Sequence, residues 1–128
     1  DTSWIYENRI EGLKKKVNGT PDDYYKWKEN LKHWKDIIYK FEEKGGKVVF
    51  VHMPFSNERW ELENKWMPKT GYWDKAMNYL DVKSIHFADY PQLQNFELPD
   101  TSHLNASSKK GFTNNLSFIL KNETSVLR

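Results

Sequence analysis

An amphipathic helix that ends at two glycines and leads directly into an apolar strand is the feature that most restricts how this chain can fold. Residues 47–54 are almost continuously apolar and rich in β-branched side chains, which is typical of a strand buried on both faces of a parallel sheet. Gly45-Gly46 ends the preceding helix, predicted over residues 21–44. Its apolar residues recur at alternating threes and fours, which predicts one buried stripe: Tyr24, Trp27, Leu31, Trp34, Ile38 and Phe41.

A second helix and strand follow with weaker patterning. Trp73, Ala76, Met77 and Leu80 predict a short helix from about residue 72, and residues 82–89 predict a strand. Two further helices are predicted near the ends of the chain, over residues 6–17 and 106–121. The order α-α-β-α-β-α implies parallel strands joined by helical crossovers. The predicted fold class is therefore α/β and helix-rich, a single domain over residues 1–128 with a partial three-layer αβα arrangement.

The stretch between residues 55 and 72 shows little periodicity, which predicts a long loop. This loop and its end carry three tryptophans, Trp60, Trp66 and Trp73. Exposed aromatic faces there would suit stacking on sugar rings, or the same side chains could fill the space beneath the loop. The sequence leaves both uses open.

A carboxylate and an imidazole stand three residues apart just before the last predicted helix, at Asp100 and His103. A neutral histidine works as a general base when a carboxylate accepts one ring N–H and leaves the other nitrogen facing a nucleophile. The same residues also fit an ordinary turn, because Asp100, Thr101 and Ser102 are turn formers and Ser102 or Asn105 could cap the helix. Spacing alone leaves both interpretations open.

The segment over residues 100–105, Asp-Thr-Ser-His-Leu-Asn, resembles the Asp-x-x-His-Leu-Asn block that closes the SGNH (GDSL-type) hydrolase and acyltransferase superfamily. The resemblance covers roughly residues 45–121, and only the Asp/His block is specific. It implies a flavodoxin-like αβα fold and a Ser-His-Asp triad whose serine lies far upstream. It also implies that His103 is the general base and Asp100 the residue that orients it.

Two blocks of that family have no counterpart in the sequence. The Gly-Asp-Ser block that carries the serine is missing, and so is the Gly-x-Asn-Asp block that provides oxyanion donors. Two strands also make a poor sheet on their own. We therefore expect either that the chain is the C-terminal part of a longer enzyme and inactive alone, with a missing N-terminal segment as its partner, or that it has lost the chemistry.

The carboxyl ends of parallel strands gather ligands at one rim of the sheet. The rim predicted here offers His52, Ser56 and Arg59 as candidate substrate-binding residues. The substrate that the resemblance implies is an ester or an acylated carbohydrate. No two histidines have the paired spacing of a helical metal site, so we predict neither a metal nor a cofactor.

Composition narrows the classes of partner. Twenty basic and eighteen acidic residues are mixed along the chain rather than clustered by sign, which argues against nucleic-acid binding. The absence of cysteine excludes disulfides and thiolate chemistry. We favour a bacterial, extracytoplasmic setting over a cytoplasmic one, and an open sheet edge that could pair with a second copy.

The main hypothesis is thus an SGNH-like serine ester hydrolase or O-acyltransferase of which this chain supplies the Asp and His. The alternative is a non-catalytic α/β domain that binds carbohydrate or protein through its loop aromatics. Fold does not decide between them, because one scaffold hosts many functions.

Overall fold

Helices and two short strands make up the regular structure of the chain. The computed structural model describes residues 1–18 and 24–127, without the side chains of residues 24 and 25. Two single-turn 3-10 helices, Phe87–Asp89 and Pro91–Leu93, follow the second strand. The longer elements come in this order: α1 Ser3–Val17, α2 Tyr24–Glu43, β1 Val49–His52, α3 Asn57–Trp66, α4 Trp73–Leu80, β2 Lys83–His86 and α5 Lys109–Glu123.

The two strands pair in parallel, and α3 and α4 form the crossover between them. Val49 lies opposite Lys83 at one end of the ladder and His52 lies opposite His86 at the other. A helix-rich α/β chain with parallel strands is therefore confirmed. Each strand is four residues long, shorter than predicted.

Apolar side chains cover both faces of this sheet, because side chains along a strand alternate between faces. Val49 and Val51 pack against one buried cluster, and Val48 and Phe50 pack against the other. The first cluster contains Ile85, Phe87 and Leu93 with two residues of α5, Phe112 and Ile119. The second contains Ile38 of α2 with three residues of α4, Ala76, Met77 and Leu80.

The apolar stripe of α2 is only partly buried. Ile38 is buried and Trp27 and Leu31 are half-buried, but Trp34 and Phe41 are each 52% exposed. The prediction that Trp34 is core is wrong, because the apolar face of α2 is wider than the surface that α4 and the sheet cover. The predicted start of this helix lies outside the described residues.

The loop predicted over residues 55–72 is also wrong, since most of it is helix α3. The oxygen of Ser56 accepts the backbone N–H of Arg59 and caps this helix. None of the ten residues of α3 is fully buried. A helix without a buried face does not need regularly spaced apolar residues, and the sequence of α3 has no such spacing. The helix packs mainly against α1, and its Trp60 also packs against the buried cluster on one face of the sheet.

The last helix begins at residue 109 and not at residue 106. Asn105 accepts the N–H of Ser108 at 2.9 Å, which holds residues 105–108 in a turn of their own before the helix. Within the described ranges, no helix combines the length and the apolar character needed to cross a bilayer.

Candidate functional site

Asp100 and His103 form a hydrogen-bonded pair at the protein surface. The ring Nδ1 of His103 lies 2.7 Å from Oδ2 of Asp100. An ionised carboxylate only accepts hydrogen bonds, so Nδ1 carries the proton and Nε2 is the basic nitrogen. The His103 side chain is 77% exposed, whereas that of Asp100 is 20% exposed. The arrangement therefore presents to solvent an imidazole whose tautomer and orientation are fixed by a carboxylate, as in a His-Asp pair that acts as a general base.

The carboxylate of Asp100 is held by several donors at once. Its Oδ1 accepts the backbone N–H of His103 at 2.8 Å and that of Ser102 at 3.2 Å, and a guanidinium nitrogen of Arg9 lies 3.4 Å from Oδ2. Burial acts to raise the pKa of Asp100, but the hydrogen bonds from His103 and Ser102 outweigh it and lower the pKa to about 2. The group is a stable carboxylate at neutral pH.

Thr101, between the two polar residues, fastens this loop to the end of β1. It is fully buried, with a φ of +82°, an unusual conformation for a β-branched residue. Its carbonyl accepts the backbone N–H of Ser56 at 2.8 Å, and its hydroxyl oxygen accepts from Arg59 at 3.2 Å. Backbone strain of this kind is retained where neighbouring contacts over-determine it.

Two of the predicted substrate-binding residues lie under this loop. Arg59 donates from Nε to Glu63 at 2.8 Å, and its guanidinium stacks 4.0 Å above the ring of Phe55. Ser56 accepts a hydrogen bond from the hydroxyl of Tyr6 at 3.1 Å in addition to capping α3. The structure thus brings Ser56 and Arg59 to the Asp100–His103 loop, where both make contacts within the protein, and their role toward substrate stays a prediction.

A cleft of about 300 Å³ adjoins the loop. Ser56, which is bonded to Thr101, lies on one wall, and Leu98, two residues before Asp100, lies on another. Trp60 and Phe96 supply aromatic surface. A cleft of mixed polarity is suited to a small organic group, and its lining reaches Leu98 but includes neither Asp100 nor His103.

His52 lies in a different cluster, stacked on His86. The two ring centroids are 4.3 Å apart and the planes are inclined by 29°. The edge of Trp73 meets both imidazoles at 5.3 Å, and Trp60 lies 5.0 Å from His86. His86 is only 2% exposed. Sequence reasoning considered that His52 and His86 could come together around a metal, but it did not predict a stacked pair; only the strand register shows that the two rings meet.

Both imidazoles are neutral at physiological pH. Burial is the main cause that lowers the pKa of His86 to about 4, helped by the neighbouring His52 and Lys69. Burial also lowers the pKa of His52, against the opposing effect of a hydrogen bond to the Met53 carbonyl. Neutral rings keep one donor and one acceptor each.

The histidine pair does not have the geometry of a metal site. The lone pairs of stacked imidazoles lie in nearly parallel planes and do not converge on one point, and both Nδ1 atoms bond to the backbone. Among the residues that the structure describes, no three His, Asp or Glu side chains are grouped as metal ligands.

Comparison of the chain with family models, curated proteins and solved structures finds no match. The resemblance to the SGNH superfamily therefore depends on residues 100–105 and remains a hypothesis. The geometry of the Asp100–His103 pair is independent of that resemblance.

Proposed function

We propose that this chain is the C-terminal part of an SGNH-like serine ester hydrolase or O-acyltransferase and supplies the Asp and His of a Ser-His-Asp triad. The supporting observation is the 2.7 Å contact between Nδ1 of His103 and the Asp100 carboxylate, with the ring open to solvent. Without the Asp100 charge, the His103 ring could adopt the other tautomer and another orientation, and Nε2 would no longer be held as the base.

In the proposed reaction, Nε2 of His103 takes the proton of a serine hydroxyl as that oxygen attacks an ester carbonyl. The imidazolium that forms is stabilised by Asp100 and gives its proton to the departing alkoxide, which leaves an acyl-serine. Water or a sugar hydroxyl then gives its proton to the same nitrogen as it attacks the acyl-serine. The imidazolium returns that proton to the departing serine oxygen, which releases the acid or the acylated sugar and regenerates the serine. The serine would come from an N-terminal segment of the same protein.

The surroundings of the pair agree with this assignment. The loop is fastened to the carboxyl end of β1 through Ser56, which is the side of a parallel sheet where α/β proteins bind ligands. Apolar clusters on both faces of the sheet fit one part of a three-layer αβα domain whose other strands lie in the proposed segment. The cleft between Ser56 and Leu98 would take the acyl group of the ester, with Arg59 and His52 as further substrate contacts.

The test uses the protein expressed from its complete reading frame and a fluorophosphonate probe that labels activated serines. His103→Ala is expected to lower the labelling rate at least about a hundredfold, and Asp100→Asn to lower it substantially, because general base catalysis is lost or weakened. His33→Ala removes an exposed histidine of α2 and serves as the matched control, with labelling unchanged.

Labelling that survives His103→Ala would contradict the proposed role of the histidine. Complete lack of labelling in the wild-type protein would favour the alternative, a binding domain that shares the scaffold without the chemistry. Circular dichroism of each variant separates loss of the base from loss of the fold.

A further inference from the structure

A groove of about 470 Å³ opens between α2, α3 and α4, and its lining includes His52 and the largely buried His86. Most of its lining is aromatic or aliphatic, as in typical ligand sites, where a few polar groups fix the orientation of the ligand. Trp34 of α2 lies at the groove with 52% of its surface exposed. Trp60 and Trp73 line it beside the imidazoles.

The two histidines offer hydrogen-bonding groups of opposite kind. Nδ1 of His52 lies 2.9 Å from the Met53 carbonyl, which can only accept, so this nitrogen carries the proton and Nε2 is an acceptor. Nδ1 of His86 accepts the backbone N–H of Ala88 at 3.1 Å, so in the neutral ring Nε2 is a donor. The ring centroids are 4.3 Å apart, so the stacked pair brings one donor and one acceptor into the same aromatic cluster.

The charged groups of the groove are already neutralised by partners inside the protein. Glu63 accepts from Arg59 at 2.8 Å. Lys69 lies 2.7 Å from Asp74 and 3.0 Å from Asp89. A ligand with a net charge would find no unpaired opposite charge on these two residues, which favours a neutral ligand.

We propose that the groove binds a neutral pyranose ring, whose hydroxyls bond to His52 and His86 and whose apolar face stacks on tryptophan. A hydroxyl is both donor and acceptor, so one hydroxyl or two neighbouring ones can satisfy the donor of His86 and the acceptor of His52. A plain hydrocarbon would leave these two nitrogens without partners, which costs binding free energy. The flat apolar surface of Trp34 suits the C–H face of a sugar.

This inference does not depend on the catalytic role proposed for His103. Binding is measured without turnover, so the two proposals fail separately. If both hold, the groove would seat the sugar part of a substrate or acceptor.

The test titrates the chain with methyl pyranosides of glucose, galactose, mannose and N-acetylglucosamine and follows the tryptophan indole N–H signals by NMR. At least one pyranoside is expected to give saturable shifts. Tetrahydropyran, which has the ring without the hydroxyls, and methyl hexanoate, which has a neutral acyl chain, serve as probes of apolar binding and are expected to bind at least about tenfold more weakly.

Three variants locate the site. His52→Phe and His86→Phe keep a ring in place but remove the hydrogen-bonding nitrogens, and Trp34→Ala removes the exposed aromatic face; each is expected to weaken sugar binding about tenfold or more. Trp4→Ala is the matched control, since Trp4 is 61% exposed on α1, and it is expected to bind like the wild type. His103→Ala is also expected to bind like the wild type.

Wild-type affinity in both Trp34→Ala and His52→Phe would overturn the proposal, as would the absence of saturable binding by every pyranoside. Equal affinity for tetrahydropyran or methyl hexanoate would show an apolar groove instead. Loss of binding in His103→Ala would move the sugar site to the Asp100–His103 loop. Trp34 is exposed, so its variant remains informative if His86→Phe fails to fold.

Discussion

At the scale of single residues, Asp100 combines a structural and a proposed chemical role. Its carboxylate closes the turn that contains Thr101 by accepting the N–H groups of Ser102 and His103, and its second oxygen holds the imidazole. An ordinary turn and a catalytic pair are therefore not exclusive interpretations of this spacing. The same bonds that shape the loop also orient the base.

The lowered pKa of Asp100 predicts a specific loss of stability in acid. The folded carboxyl has a pKa of about 2 against an ordinary 3.8, so below pH 4 the unfolded chain binds this proton more readily. The stabilisation by this group is complete above about pH 4 and is lost as the pH falls toward 2. Urea unfolding at several pH values is expected to show a shallower decline in Asp100→Asn than in the wild type.

Asp36→Asn provides the control for this measurement, since Asp36 is exposed on α2. It is expected to keep the wild-type decline. Identical pH profiles for wild type and Asp100→Asn would show that the bonds to Ser102 and His103 do not stabilise the folded chain.

At the scale of elements, the sequence predicted those segments whose signals are local. The glycine stop after α2, the apolar run of β1 and the α4 stripe all depend on neighbouring residues, and each element is found in place. Helix α3 was missed because it packs against α1 without any fully buried residue and leaves no apolar period. Its local signals were Ser56, a favoured N-cap residue, and two charges that suit the helix dipole, Glu58 in the first turn and Lys65 in the last.

In the candidate site, too, only the contacts between residues close in sequence could be predicted. The approach of Asp100 to His103 is a contact over three residues, and sequence reasoning could anticipate it. The stack of His52 on His86 joins residues 34 positions apart and depends on strand register, which no local pattern specifies. Likewise, nothing local indicates that Arg59 reaches Thr101.

The cap of α3 gives a prediction at this scale. Ser56→Ala is expected to lower the free energy of unfolding by about 1 kcal/mol, because the N–H of Arg59 loses its acceptor. Ser56→Thr keeps the hydroxyl and should lose less. The measurement is urea unfolding followed by tryptophan fluorescence, and a Ser56→Ala variant as stable as the wild type would show that the cap contributes nothing.

At the scale of the whole molecule, the described chain leaves apolar surface without cover. Trp34 and Phe41 are exposed along one stripe of α2, and Phe118 is exposed on α5. Within the described ranges the sheet has two strands, so each strand has an edge without a strand partner. Surfaces and edges of this kind favour association with further strands or with other copies.

We therefore expect the isolated chain to associate as its concentration rises, which sedimentation velocity can measure. The double variant Trp34→Gln with Phe41→Gln is expected to weaken the association. His33→Gln, a change at an exposed polar residue of the same helix, is the matched control and should leave it unchanged. A wild-type chain that stays monomeric at every concentration would contradict this expectation.

The pairing of His52 with His86 makes this protein sensitive to insertions and deletions that change the register of the two strands. A slip of β2 by a single position would turn its side chains to the opposite face and send one imidazole away from the other. An insertion or deletion of one residue between α4 and β2 would thus separate His52 from His86 while leaving the helices and both strands intact. The groove would then lose its pair of imidazoles. The histidine pair therefore tolerates changes in loop length only if the register of the two four-residue strands is kept, whatever the side chains in the loop.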